Sequence, residues 1–152
     1  MSYASGTGVS VEQSKAEIER ILQRVGASSF QSGWHQESRT EHILFRVGES
    51  NIMLAVTMPP AGDFLFSPRG RRRTKDSAED AFKQERRRRW RGMLLIIKAK
   101  LEQIEIGNST LQREFLSDMV MPNGRTLGDA LIPQLKELQA GRLALPAHEP
   151  GR

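Results

Sequence analysis

Residues 28–58, SSFQSGWHQESRTEHILFRVGESNIMLAVTM, decide the fold. Three segments of strand character follow one another at short intervals. Residues 28–36 carry Phe30 and Trp34 four apart, which puts both on one face at period 2. Residues 40–47 place Ile43, Phe45 and Val47 on one face, and His42, Leu44 and Arg46 on the other. Residues 51–58 are nearly all apolar, the composition expected of a strand covered on both faces. The breaks at Glu37-Ser38-Arg39 and Gly48-Glu49-Ser50 have hairpin length. The segment therefore predicts an antiparallel three-stranded meander.

Upstream of the meander, Ser10 and Gln13 form a capping box, and Ile18, Ile21, Leu22 and Val25 make one apolar stripe ending at Gly26. Downstream, Pro59-Pro60-Ala61-Gly62-Asp63 ends the sheet and opens a long loop over 59–75. Phe64 and Phe66 are expected to tack this loop to the core. Asp76 and Glu79 read as the next capping box, opening a long helix over about 77–106. Its seam is Trp90, Leu94, Ile97, Leu101 and Ile104. Residues 93–97 (MLLII) are apolar on nearly every side, which predicts burial on more than one face, by the final helices or by a second copy of the chain. Ser109-Thr110-Leu111-Gln112 reads as a third capping box, for a short helix carrying Phe115, Leu116 and Met119. Thr126 caps a last helix with Leu127, Leu131, Leu135 and Leu138, which Pro133 should kink. The expected architecture is α+β in the order α-β-β-β-α: a three-stranded antiparallel sheet packed by an N-terminal helix and a long basic helix, plus two short C-terminal helices. It occupies 10–140 as a single domain, with loose ends over 1–9 and 141–152.

Composition narrows the function classes. The chain has 152 residues, enough for one domain with a real core. It has no cysteine, which excludes disulfides, thiolate metal ligands and a Cys nucleophile and suits a reducing cytosol. Residues 1–15 lack the basic and apolar regions of a secretory signal. The longest apolar run, Met93 to Ile97, is far short of the ~20 residues that span a bilayer, so no membrane insertion is expected.

The order of the first five elements matches that of the double-stranded-RNA-binding domain. The chain departs from that family in its much longer loop before the long helix and in lacking the family's signature at that helix's start. A second resemblance covers more residues. SVEQSKAEIERILQRVGASSF (10–30) and RRRRWRGMLLIIKAKLEQIEIGNSTLQREFLSDMVMPNGRTLGDALIPQL (86–135) resemble a family of small uncharacterised proteins encoded in bacteriophage and prophage genomes. The matching positions include Ser14, Lys15, Glu17, Ile18 and Glu19. They continue with Arg89, Trp90 and Arg91, then Ile97 to Glu102, then Pro122, Gly124, Thr126 and Gly128. This resemblance implies a phage or prophage origin and a host bacterial cytoplasm. It implies no activity and carries over no functional residue.

Charge supplies the functional clue. Residues 69–91, RGRRRTKDSAEDAFKQERRRRWR, hold 11 Lys/Arg against 4 acids, a net +7, whereas the whole chain is +5. A local excess of this kind attracts polyanions, nucleic acid above all. Consecutive arginines step 100° around a helix, so the run 86–91 cannot face one ligand. With Trp90 defining the core direction, Arg86 and Arg87 flank the seam and are expected to pair with Glu17, Glu19 or Glu41. Arg88 and Arg91 point outward. The candidate phosphate-binding surface is therefore Arg69, Arg71, Arg72, Arg73, Lys75, Arg88 and Arg91, with Trp34 as a stacking residue. Trp90 belongs to the core, with its indole N–H partnered. The bland alternative is a solvated basic face.

Other chemistries find little support. His35 and His42 can meet across a hairpin near Glu41, but the spacing is no known ligand motif and reads as a surface pair. No G-x-S-x-G is present, His148 lies near the C-terminus, and the glycines at 6, 8 and 26 make no phosphate loop. Paired carboxylates are helix-surface residues, with Lys98–Glu102 as an expected i,i+4 partner set. The reading is a non-enzymatic protein without cofactor or metal, binding nucleic acid through 69–91. Docking on a host or defence protein, or self-association through 93–97, is the alternative. Sequestration of a small phosphorylated ligand comes third.

Overall fold

Local signals set the element boundaries throughout residues 8–145, the part of the chain that the structure, a computed structural model, describes. Ser10 Oγ accepts the Gln13 backbone N–H at 3.1 Å and Gln13 Oε1 accepts that of Ser10 at 2.9 Å, so the capping box starts helix α1, Val11–Arg24. Gly26, at φ +95°, turns the chain out of the helix in a conformation a side chain would strain. Val11, Ile18, Ile21 and Leu22 are buried along one stripe, while Val25, expected on that stripe, is exposed past the helix end.

Strands β1 (Ala27–His35), β2 (Thr40–Val47) and β3 (Ser50–Thr57) form an antiparallel sheet in the order β1-β2-β3. Register follows the two hairpins, with His35 opposite Thr40 and Val47 opposite Ser50. Ile43 and Phe45 of β2 and Ile52, Leu54 and Val56 of β3 point into the core, as the alternation requires. β3 is not covered on both faces as its composition suggested. Asn51, Ala55 and Thr57 are exposed, because both main helices pack on the same side of the sheet. That architecture, α+β in the order α-β-β-β-α, is the one expected.

Helix α2 runs over Lys75–Glu105, two residues earlier than predicted. Thr74, not Asp76, is its N-cap, accepting the Ser77 N–H at 3.2 Å. Trp90, Leu94, Ile97 and Leu101 form the buried seam and Ile104 packs partly against it. The band 93–97 is not buried all round. Leu94 and Ile97 face the core, Met93 and Leu95 are half-buried, and Ile96 is exposed.

Thr110, rather than Ser109, caps α3 (Leu111–Phe115), and Phe115 inserts into the core edge-on to Phe45, 5.8 Å between ring centroids. The following segment pairs with the edge of β3, Val120 N–H donating to the Asn51 carbonyl at 2.8 Å. Thr126 caps α4 (Leu127–Leu131) as expected. The single last helix predicted there is two. A 3-10 turn over Ile132–Gln134, containing Pro133, separates α4 from α5 (Leu135–Gln139). Its leucines do not form one buried stripe, since Leu135 is exposed. Residues 1–7 and 146–152, with Gly6 and His148, lie outside the described residues. Just past α5, Arg142 pairs with Glu137 at 2.6 Å and the 142 and 143 amides bond the Glu137 carbonyl. No helix among the described residues is long and apolar enough to cross a membrane.

Candidate nucleic-acid interface

The basic segment divides where its backbone changes from loop to helix. Ahead of α2, a 3-10 turn at Ala61–Phe64 leads into a small hairpin. Ser67 and Arg71 are joined backbone to backbone at 2.8 Å, Phe66 bridges Arg72, and Arg73 N–H reaches the Leu65 carbonyl at 2.7 Å. Pro68 presets the turn, and Gly70, at φ +78°, supplies the left-handed residue that closes it. The loop is thus pinned at its base. Arg73 does much of the pinning: its guanidinium donates to the carbonyls of Phe64 (3.2 Å) and Phe66 (3.0 Å). Phe64 packs edge-on against Phe82 of α2, centroids 5.4 Å apart, so it tacks the loop to the helix as expected. Phe66 does not, and stands half exposed.

Along α2 the arginines are wired into the fold. Glu41, on the core face of β2, is the hub. Its carboxylate accepts two bonds from Arg86 (2.7 and 2.6 Å) and the indole N–H of Trp90 (3.1 Å), and Lys15 of α1 sits 3.4 Å away. Burial alone would raise the Glu41 pKa. The bonds from Arg86 and Trp90 and the nearby positive charges outweigh it and hold the carboxyl down at about 2. One residue thereby ties α1, β2 and α2 together. Arg87 donates to Gln84 (2.6 and 3.1 Å) rather than to a glutamate. Arg88 makes a bidentate pair with Glu85 (both bonds 2.8 Å), Arg89 shares that carboxylate and reaches the Thr57 carbonyl, and Glu85 is held below the usual carboxylate range by Arg88. Arg91 does not point outward. It faces α1 and pairs with Glu17 at 3.5 Å, and Lys98 binds the same carboxylate instead of Glu102.

The eight predicted residues therefore separate. Arg69, Arg71, Arg72 and Lys75 are exposed and, among the described residues, have no hydrogen-bond or ion-pair partner for their charged ends. Arg73, Arg88 and Arg91 serve internal contacts. Trp34 is 71% exposed, although on the core face of β1 opposite Glu41, because β1 is an edge strand and the helices do not reach its far end. Sequence reasoning missed Lys83. It is exposed and without partner among the described residues, and its spacing of eight from Lys75 along α2 places both cations on one side of the helix. That spacing is visible in the sequence but is overshadowed by the denser arginine run beside it.

Two adjoining hollows lie between these parts. One, about 500 Å³, is floored by Phe64, Leu65, Ala78 and Phe82 and rimmed by Arg72, Lys75 and Lys83. The other, about 600 Å³, lies between Trp34, Met58, Pro59 and Phe82, with Arg39 and Arg86 at its border. Ala61 and Phe82 line both, so the two hollows adjoin and are taken together as one trough, with an apolar floor and a mainly cationic rim that Glu79 and Glu41 interrupt. No sequence signal linked Trp34 to this loop, since the trough assembles from three separate segments.

His35 and His42 share the open face of the sheet, with His42 lying over Gly33, and Glu41 projects from the opposite face. Those three cannot converge on one ion. Large apolar side chains are exposed at Val25, Leu65, Phe66 and Ile106 as well as at Leu116, Ile132, Leu135, Leu143 and Leu145, and in the 93–97 band Ile96 is the exposed one. Comparison of the chain with protein-family models, with characterised proteins and with solved structures finds no match.

Proposed function

We propose that this protein is a non-enzymatic nucleic-acid-binding protein of phage or prophage origin, acting in the bacterial cytoplasm through phosphate contacts. The observation that carries the reading is the set of five side chains, Arg69, Arg71, Arg72, Lys75 and Lys83, left without partner carboxylates while the arginines of 86–91 are held by Glu41, Glu85, Glu17 or, for Arg87, the Gln84 amide. Unpaired cations on one pinned hairpin and one helix face suit a polyanion whose charges repeat along its length. Arginine's fork suits phosphate oxygens in particular. The origin and compartment rest on the resemblance of residues 10–30 and 86–135 to phage-encoded proteins.

Salt dependence tests the reading. If about five phosphates are neutralised, log Kobs against log salt falls with a slope between about −3 and −5 in fluorescence anisotropy with labelled oligonucleotides. The combined variant Arg71→Glu, Arg72→Glu, Lys75→Glu, Lys83→Glu should lose at least about 100-fold in affinity at low salt, with its melting temperature within a few degrees of the parent. A flat salt response, or undiminished binding by the variant, would overturn the proposal.

A further inference from the structure

Phosphate contact needs only cations, yet three of the free cations here, Arg72, Lys75 and Lys83, border an apolar hollow whose neighbour ends at an exposed tryptophan. Phe64, Leu65 and Phe82 form its floor, Arg72, Lys75 and Lys83 with the single acid Glu79 its rim, and Trp34 lines the adjoining hollow. An apolar floor gains nothing from a duplex, whose bases are stacked on each other and whose outer surface is phosphate and sugar. An unpaired strand offers both chemistries at once: flat apolar base faces and, beside each of them, a phosphate. Trp34 suits such a face. Its indole is 71% exposed and shares the core-side face of β1 with Phe30, leaving the ring beside the trough rather than under a helix. Trp90, the other tryptophan, is fully buried and bonded to Glu41, so it takes no part.

Resting on the nucleic-acid reading above, we infer that the preferred ligand is single-stranded, with a base stacked on Trp34 and neighbouring bases lying in the trough while Arg72, Lys75 and Lys83 hold the phosphates. An acidic amphipathic peptide is the competing occupant of a groove with this rim. The arginine–phosphate fork and the planar face of Trp34 favour the nucleic acid.

The test uses the full chain with three probes: a dT15 oligomer, a 15-mer of the same length built of abasic sugar–phosphate units, and a 15-base-pair duplex. Tryptophan emission is followed with anisotropy. The expected result is that dT15 binds tighter than both other probes and quenches the exposed tryptophan. Trp34→Ala should weaken dT15 binding by about 5- to 150-fold, the loss of one stacked base, and Trp34→Phe should restore part of it. Abasic binding should be unchanged in both variants. Because Trp34 is exposed, both variants are expected to fold, and the emission of Trp90 reports it. If the abasic strand or the duplex binds as well as dT15, the trough does not receive bases, and the inference fails while the phosphate reading stands. If no probe binds, both fail. Quenching by a poly-glutamate peptide but not by dT15 would assign the trough to an acidic protein segment and overturn the inference.

Discussion

Two arginine clusters of similar composition, RGRRR at 69–73 and RRRRWR at 86–91, meet opposite fates. In the helix, successive side chains fan out around the axis, and each direction ends on an acceptor: Glu41 on the sheet, Glu17 on α1, Glu85 and Gln84 one turn back. In the hairpin only Arg73 turns inward, to carbonyls, and the cations around it reach solvent. Charge counted along a chain is therefore not charge offered to a ligand. Of the eleven cations in 69–91, six are engaged inside the molecule and five remain, and three of the five, Arg72, Lys75 and Lys83, border an apolar hollow.

The comparison breaks most visibly at Glu41. Replacing it by Ala strands the Arg86 guanidinium and the Trp90 N–H, and should cost about 3 kcal/mol of unfolding free energy in urea titrations. A loss under 1 kcal/mol would mean the helix run is not anchored as its distances suggest.

Acid should reproduce part of that effect. A carboxyl held near 2 contributes stability that is fully present above its ordinary value of 4.5 and drains away as pH falls from there toward 2. Glu41 accounts for at most about 3 kcal/mol of this limb. Glu17 and Glu85 act in the same direction. Asp118, whose pKa burial raises against the pull of Lys100, acts in the opposite one, since the folded state favours its proton. The acid limb should shrink in Glu41→Gln, and an unchanged limb would remove Glu41 from the account.

The smallest effect is expected at Arg88. Its pair with Glu85 is partly solvated, and Arg89 remains on that carboxylate, so Arg88→Ala should change stability by about 0.5 kcal/mol and oligonucleotide affinity by less than twofold. A tenfold loss of affinity would show that the helix run shares the ligand after all, and the contrast between the two clusters would fall.

Most elements were legible because their signals are local. The Ser10 and Thr126 caps, the two hairpins, the seam from Trp90 to Leu101 and the break at Pro133 are each written within a few residues. Errors arose where two local signals competed or where the answer lay elsewhere in the chain. Thr74 took the cap from Asp76, and Thr110 took it from Ser109, each being one of two adjacent or near-adjacent capping residues. The apolar composition of β3 could not say that no layer covers its second face. For the site, the exposed members of 69–75 and Trp34 were legible. The engagement of Arg73, Arg88 and Arg91 was not, because each depends on an acceptor that only the folded backbone brings near.

The sequence by itself determined the α-β-β-β-α order and the presence of a concentrated positive segment, since periodicity, caps and charge are properties of neighbours along the chain. Only the tertiary structure decided which cations are free. Glu41 lies 45 residues from Arg86, and Glu17 lies 74 from Arg91, so both pairings exist only once α1 and α2 share one face of the sheet. The trough has the same origin: Trp34, Phe64 and Phe82 come from an edge strand, a loop and a helix, and closeness in space is a consequence of packing that no spacing in the chain encodes.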